Sequence, residues 1–271
     1  MKNIVKKLGS GSGGDAFLLN DGKAIIVGKR EDSFSLYNSL YKKLKRVEGK
    51  ITTIKYPKIY ELVEPCEEYP FGAVIEECIN GQELREKITD LTYDDKQEIG
   101  KILAMFLIQL HDINVEGDKD QEIITNLAKY DKSIGLLKSY LAKDVVDKLT
   151  TIVKDDYKTL IEGKDFCLTH GDLNAGNIMI GEDNKLSGVI DFANMEYYIP
   201  EIEFIHMYFF DKIIYDSMVK NYNKEIKEKN IFLLELVVNI RHFKNIVNYD
   251  EKRDSCLNNI KSLLNKYLNL L

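Results

Sequence analysis

The 271 residues are 44% hydrophobic and 30% charged, with a formal net charge of -6, a balance that gives core enough for one large domain or two lobes. The acidic excess argues against a nucleic-acid-binding surface, and no apolar run is long enough to span a bilayer. The four cysteines, Cys66, Cys78, Cys167 and Cys256, have neither CxxC spacing nor histidine partners, which fits a reduced, cytoplasmic protein without structural zinc.

Residues 1–8 hold no apolar core of signal-peptide length, and 4–8 read as a first strand. Gly9-Ser10-Gly11-Ser12-Gly13-Gly14 follows, then an apolar run at 16–19, a turn at Asn20-Asp21-Gly22 and a third strand at 24–27. Taken as GxGxxG, the glycines are Gly9, Gly11 and Gly14. A Rossmann fingerprint would open a helix. Between two strands, such a run lets backbone amides approach phosphate oxygens; the plainer alternative is a linker.

Residues 33–47 have helical spacing, with Phe34, Tyr37, Leu40, Tyr41 and Leu44 on one face. Strands are expected at 58–63 and 71–76. From Tyr93 to His111 the helical period is sustained, with Ile99, Ile102, Leu103, Phe106, Leu107 and Leu110 forming the apolar face. His111 reads as a packed, hydrogen-bonded histidine. Charged helices are expected at about 121–130, 132–142 and 144–161, and packing helices at about 231–247 and 255–270.

The chemistry concentrates in CLTHGDLNAGNIMI (167–180) and GVIDF (188–192). Asp172 precedes Asn177 by five positions, and Asp191 follows Asp172 by nineteen. Apolar runs at 178–180 and 186–190 flank a turn, Gly181-Glu182-Asp183-Asn184. A hairpin there carries Asp191 back beside Asn177. A carboxylate next to an amide oxygen suits a hard divalent cation, Mg²⁺ first. Asp172 is placed to accept a hydroxyl proton, and phosphoryl transfer needs this combination. His170 reads as orienting the turn.

HGDxxxxN followed by an apolar strand and IDF resembles the aminoglycoside phosphotransferase and choline kinase group of small-molecule kinases. The resemblance implies an α+β, two-lobed protein-kinase-like fold, with a small β-rich N-lobe at 1–80 and a larger, mostly helical C-lobe at 81–271. It implies ATP or GTP and Mg²⁺ as cofactors, with Asp172 as base and Asn177 and Asp191 as metal ligands. The family's strand lysine falls on Lys29, which shares a face with Ile25 and Val27 by alternation; Lys23 and Arg30 compete for the role. The family's helix glutamate belongs within 33–47, where none stands. Ser39, Asn38 or a residue from elsewhere takes its place.

Glu77-Cys78-Ile79-Asn80-Gly81 resembles the family's hinge, which puts the Glu77 carbonyl and the Ile79 amide on the base. Glu203 falls near the second acid of the family's DPxxDL. Glu196, Glu201, Glu203 and Asp211, among Tyr197, Tyr198, Tyr208 and Phe209, suit a cationic amine; a core helix with an acidic solvent face is the plain alternative. The implied function is γ-phosphate transfer from ATP or GTP to a hydroxyl of a small, cationic acceptor such as an aminoglycoside. A choline- or homoserine-type metabolite kinase and a catalytically weak, kinase-like nucleotide-binding protein are the alternatives. The expected partner is a small-molecule acceptor, with no nucleic acid and no membrane, for a monomer or weak dimer.

Overall fold

A computed structural model describes residues 3–11, 13–114 and 117–271. Met1, Lys2 and Ser12, the last inside the glycine run, lie outside the described residues. The fold is the kinase-like one expected, an antiparallel sheet in the N-terminal part followed by a mostly helical C-terminal part. The chain forms two compact units: residues 1–113, 170–195 and 212–222 make unit 1, and residues 114–169, 196–211 and 223–271 make unit 2.

Unit 1 holds strands β1 (Ile4–Ser10), β2 (Asp15–Leu19), β3 (Lys23–Val27), β4 (Ile59–Val63) and β5 (Ala73–Glu77). They pair antiparallel in the order β1-β2-β3-β5-β4. Alternation sends Ile25 to one face, where it packs with Leu19, Tyr69, Ala73 and Ile75. Helix α1 (Ser33–Val47) has the expected bounds and buries Tyr37, Leu44 and Val47.

Below the sheet in sequence, β6 (Gln82–Glu83) leads into the short α2 (Leu84–Lys87) and then α3 (Tyr93–His111). Helix α3 starts at a capping box: Thr92 and Asp95 exchange side-chain-to-backbone hydrogen bonds and satisfy two otherwise orphaned donors. Its last residue, His111, is buried with Nδ1 2.6 Å from the Tyr222 hydroxyl, the packed, hydrogen-bonded histidine that the sequence suggests. Strands β8 (Ile178–Ile180) and β9 (Leu186–Val189) form the expected hairpin, with β6 on the outer side of β8. Helix α8 (Lys212–Asn221) packs along α3.

Unit 2 contains β7 (Cys167–Thr169) paired with β10 (Glu196–Tyr198), and helices α4 (Lys119–Leu137), α5 (Lys143–Thr151), α6 (Lys158–Glu162), α7 (Ile205–Phe210), α9 (Glu228–Ile246) and α10 (Asp250–Leu268). A π-helical stretch, Ile152–Tyr157, joins α5 to α6. Helix α9 packs against both α4 and α10. Among the described residues no helix is long and apolar enough to cross a membrane.

Candidate active site

The β8–β9 hairpin turns through Gly181 to Asn184, with Asn184 left-handed at φ 61° and its N–H donating to the Gly181 carbonyl at 3.1 Å. The return strand brings the Ile190 N–H to the Asn177 carbonyl at 2.9 Å. Asp191, the next residue, therefore sits beside Asn177, as the turn between two apolar runs implied. The side-chain amide of Asn177 donates to the Asp172 carbonyl at 2.8 Å. With its NH₂ used there, the Oδ1 of Asn177 is the end left for a cation. Amide and carboxylate oxygens are the hard donors Mg²⁺ prefers, so the residues present fit that ion.

His170 binds the two segments together. Its fully buried ring places Nε2 3.0 Å from the Ile190 carbonyl and Nδ1 3.3 Å from the Asp172 N–H. That pattern assigns the proton to Nε2, which donates, while Nδ1 accepts. Phe192 meets the imidazole edge-on at 4.5 Å. Gly171 follows with φ +79°, and a Cβ there would lie 2.4 Å from the Asn194 carbonyl oxygen. Only glycine permits that approach, and it seats Asn194 against the loop.

The Asp172 carboxylate is aimed by two amides. Asn174 donates to Oδ1 at 2.8 Å, and Asn194 approaches Oδ2 at 3.4 Å. Asp191 is left-handed at φ 62°, a conformation Asp tolerates better than most residues, and its Oδ1 accepts the Ala193 N–H at 3.4 Å. Asp191 is open to solvent on one side yet crowded by protein on the others. That crowding, with Asp172 nearby, moves its pKa up. Glu76 near the end of β5 was not singled out by the sequence reading. Burial, then the charge of Asp191, pushes its carboxyl up to about 8. A charged residue closing the apolar run Ala73-Val74-Ile75 was the available signal.

The glycine run connects β1 to β2 as a strand–loop–strand element. Gly9 and Gly11 have open space where a Cβ would stand, whereas a Cβ on Gly14 would lie 2.4 Å from the Val27 carbonyl oxygen. Lys29 lies two residues past the end of β3, because the chain already turns there into α1: the Ser33 N–H donates to the Arg30 carbonyl at 3.0 Å. The Lys29 ammonium is 2.7 Å from the Ser10 hydroxyl and 2.9 Å from Asp15 Oδ1. Lys7 reaches the same oxygen at 2.7 Å, and these cations, with the Ser10 hydroxyl, hold the Asp15 carboxyl well below the usual carboxylate range. The partner of Lys29 is thus a β2 aspartate, and Ser39 on α1 is exposed.

The segment after β5 runs along the hairpin. Ser187 donates to the Asn80 carbonyl at 2.6 Å, and the Ile79 side chain packs where a Cβ on Gly188 would stand. Glu77 donates its N–H to Lys58, and among the described residues the Ile79 N–H makes no hydrogen bond.

Glu196 and Glu203 lie in unit 2. Glu196 is half-buried on β10, where its carbonyl accepts the Thr169 hydroxyl at 3.0 Å. Glu203 is 1% exposed in a 3-10 turn, Pro200–Phe204, so Glu196 and Glu203 stand on a strand and in a tight turn, and the helix of this stretch, α7, begins only at Ile205. Beside it, fully buried Glu201 is ion-paired with Lys164 at 2.5 Å.

A family model described as phosphotransferase enzyme family matches residues 5–226. Among curated proteins, hydroxylysine kinase of Mus musculus is 26% identical over 138 residues, 44% of this chain and 36% of that protein. The Bos taurus hydroxylysine kinase is 29% identical over 131 residues, 41% of this chain and 34% of that protein. The match thus spans about a third of those relatives' length. Among solved structures, ADP-bound aminoglycoside phosphotransferase APH(2'')-Ib superposes with a TM-score of 0.73 at 19% identity, covering 97% of this chain and 92% of that one. The GDP complex of wild-type aminoglycoside 2'-phosphotransferase-IIIa gives 0.80 at 16% identity, covering 98% and 94%. These likenesses establish the fold.

Proposed function

The chain belongs to the phosphotransferase enzyme family; from that premise we propose that it is a small-molecule phosphotransferase that moves the γ-phosphate of ATP or GTP to a hydroxyl of a small, amine-bearing acceptor. The observation that carries this reading is that Asn177 is bonded on both sides: its Nδ2 donates to the Asp172 carbonyl, and its carbonyl accepts the N–H of Ile190, the residue before Asp191.

Asp172 accepts the acceptor's hydroxyl hydrogen and aligns its oxygen for in-line attack, its carboxylate aimed by Asn174 and Asn194. Asn177 Oδ1 and the Asp191 carboxylate hold Mg²⁺, which when bound neutralises charge on the phosphates. Gly9 and Gly11 open the backbone to phosphate oxygens, Gly14 lets the turn pack against Val27 and Tyr37, and Lys29, fixed by Asp15, supplies a cation beside them. The Glu77 carbonyl and Ile79 N–H take the edge of the base. In this reading the lobe boundary falls near residue 80.

For the acceptor, aminoglycosides lead, with amino alcohols and hydroxylated amino acids in the same chemistry; the likeness to hydroxylysine kinases supports including the last class. Glu196 offers a half-buried carboxyl for an ammonium, with Glu203 as the second candidate. A panel of these acceptors, assayed with ATP and with GTP, tests the reading; Mg²⁺-dependent transfer to at least one acceptor is expected, and none across the panel contradicts it. A second reading, nucleotide binding without turnover, is favoured by one observation: α1 carries no glutamate. Binding without transfer or hydrolysis would select it.

A further inference from the structure

In protein kinases a strand lysine and a helix glutamate tie the helix to the phosphate site. Here Lys29 lies past the end of β3 and pairs with Asp15 on β2, and α1 carries no glutamate. On β3, the side chain facing the glycine turn is Ile26, whose Cγ2 lies 3.0 Å from where a Cβ on Gly14 would be. Helix α1 has only serine or asparagine where the glutamate is expected.

Yet α1 is bonded at two points, to the glycine turn and to the segment after Asp191. Near its start, the Tyr37 hydroxyl donates to the Gly13 carbonyl at 2.6 Å, inside the glycine turn. Six residues on, about 9 Å along the axis, the Lys43 ammonium donates to the Ala193 carbonyl at 3.0 Å. Ala193 is also the residue whose N–H reaches Asp191. Gly14 makes room for the first contact, since a Cβ there would lie 2.7 Å from the Tyr37 hydroxyl. The tyrosine ring is 4% exposed, and burial pushes its pKa up to about 12, so the hydroxyl remains a donor at physiological pH.

We propose that Tyr37 and Lys43 are positioning residues that make α1 a brace, setting the glycine turn at a fixed distance from the Asp191 segment in place of a lysine–glutamate pair. The proposal rests on the phosphotransferase reading of the site. It predicts a division of labour: Tyr37 governs how well the turn meets the nucleotide, and Lys43 governs how well Asp191 meets the metal.

Three variants test it in the full chain. Tyr37→Phe removes one hydroxyl and keeps the ring. Lys43→Met keeps the stem without the ammonium, and Lys43→Arg restores a donor. With Mg–nucleotide varied, Tyr37→Phe should raise the nucleotide KM roughly 3- to 10-fold, with kcat within about twofold. Lys43→Met should raise the Mg²⁺ concentration giving half-maximal rate by a similar factor, and Lys43→Arg should recover most of it. Unchanged KM and Mg²⁺ requirement in the first two, or a Lys43→Arg protein as impaired as Lys43→Met, overturns the brace. If wild type turns over no acceptor and no nucleotide, the functional reading fails separately. The brace is then read from the Kd of a non-hydrolysable Mg–nucleotide: weakening by Tyr37→Phe supports it, and an unchanged Kd overturns it.

Discussion

The backbone N–H of Ile190 donates to the carbonyl oxygen of Asn177 across 2.9 Å, and this bond makes neighbours of two residues that the hairpin separates in sequence. A hairpin of two short apolar strands does the rest, delivering Asp191 to the side of Asn177. His170 fastens the same strand end to the Asp172 loop, through the Ile190 carbonyl and the Asp172 N–H. The site is therefore held by the hairpin's backbone bonds together with the His170 and Asn177 side chains.

Gly171→Ala tests that geometry. At φ +79° with 2.4 Å to the Asn194 carbonyl oxygen, an added methyl strains the backbone and displaces Asn194 from Asp172. Destabilisation of about 2 kcal/mol or more is expected in urea unfolding, with a fall in turnover larger than the loss of folded protein explains. Wild-type stability and rate would refute the tight seat.

The bounds of α1, the β8–β9 hairpin and the role of His111 were legible because each is written in local spacing. Other features were not local. Strand β10 is three residues long and is a strand only because Thr169, far earlier in the chain, pairs with Glu196. The expected break near residue 131 does not occur, since nothing between Lys119 and Leu137 interrupts the helix; the chain leaves it only at Lys138. The capping box at Thr92 is also local, a Thr-x-x-Asp spacing ahead of the apolar period. Alternation carried Lys29 onto the third strand, yet the chain turns toward α1 after Val27, and its Asp15 partner lies across the hairpin. The crowding that raises the Glu76 carboxyl is a property of packing, which no spacing records.

Glu76 gives a pH signature. Its carboxyl sits at about 8 in the folded chain, against about 4.3 when unfolded. A raised acid leaves folding unpenalised below the unfolded value; as pH climbs from there toward 8 the unfolded chain releases a proton that the native one keeps, and stability falls. Glu76→Gln should therefore gain stability over wild type progressively between about pH 4.5 and 8, with the gain largest at and above pH 8. Thermal midpoints across the acid-to-alkaline range, without nucleotide or metal, would read this; a pH-independent difference would contradict it.

Asp191→Asn separates stability from catalysis. Removing a crowded charge beside Asp172 and Glu76 relieves repulsion, so the midpoint without metal should hold or rise by a few degrees. The same change weakens the metal site, and the Mg²⁺ needed for half-maximal rate should rise roughly tenfold or more. A variant with a normal Mg²⁺ requirement would remove Asp191 from the metal site.

Asp172 bears the central claim most directly. Phosphoryl transfer from radiolabelled ATP or GTP should be measured for wild type and Asp172→Ala, with the acceptor that wild type uses best and with nucleotide Kd recorded in parallel. The proposed role predicts a rate loss of roughly 100- to 10,000-fold with nucleotide Kd changed by less than about threefold. An Asp172→Ala protein that transfers phosphate at near wild-type rate would contradict it.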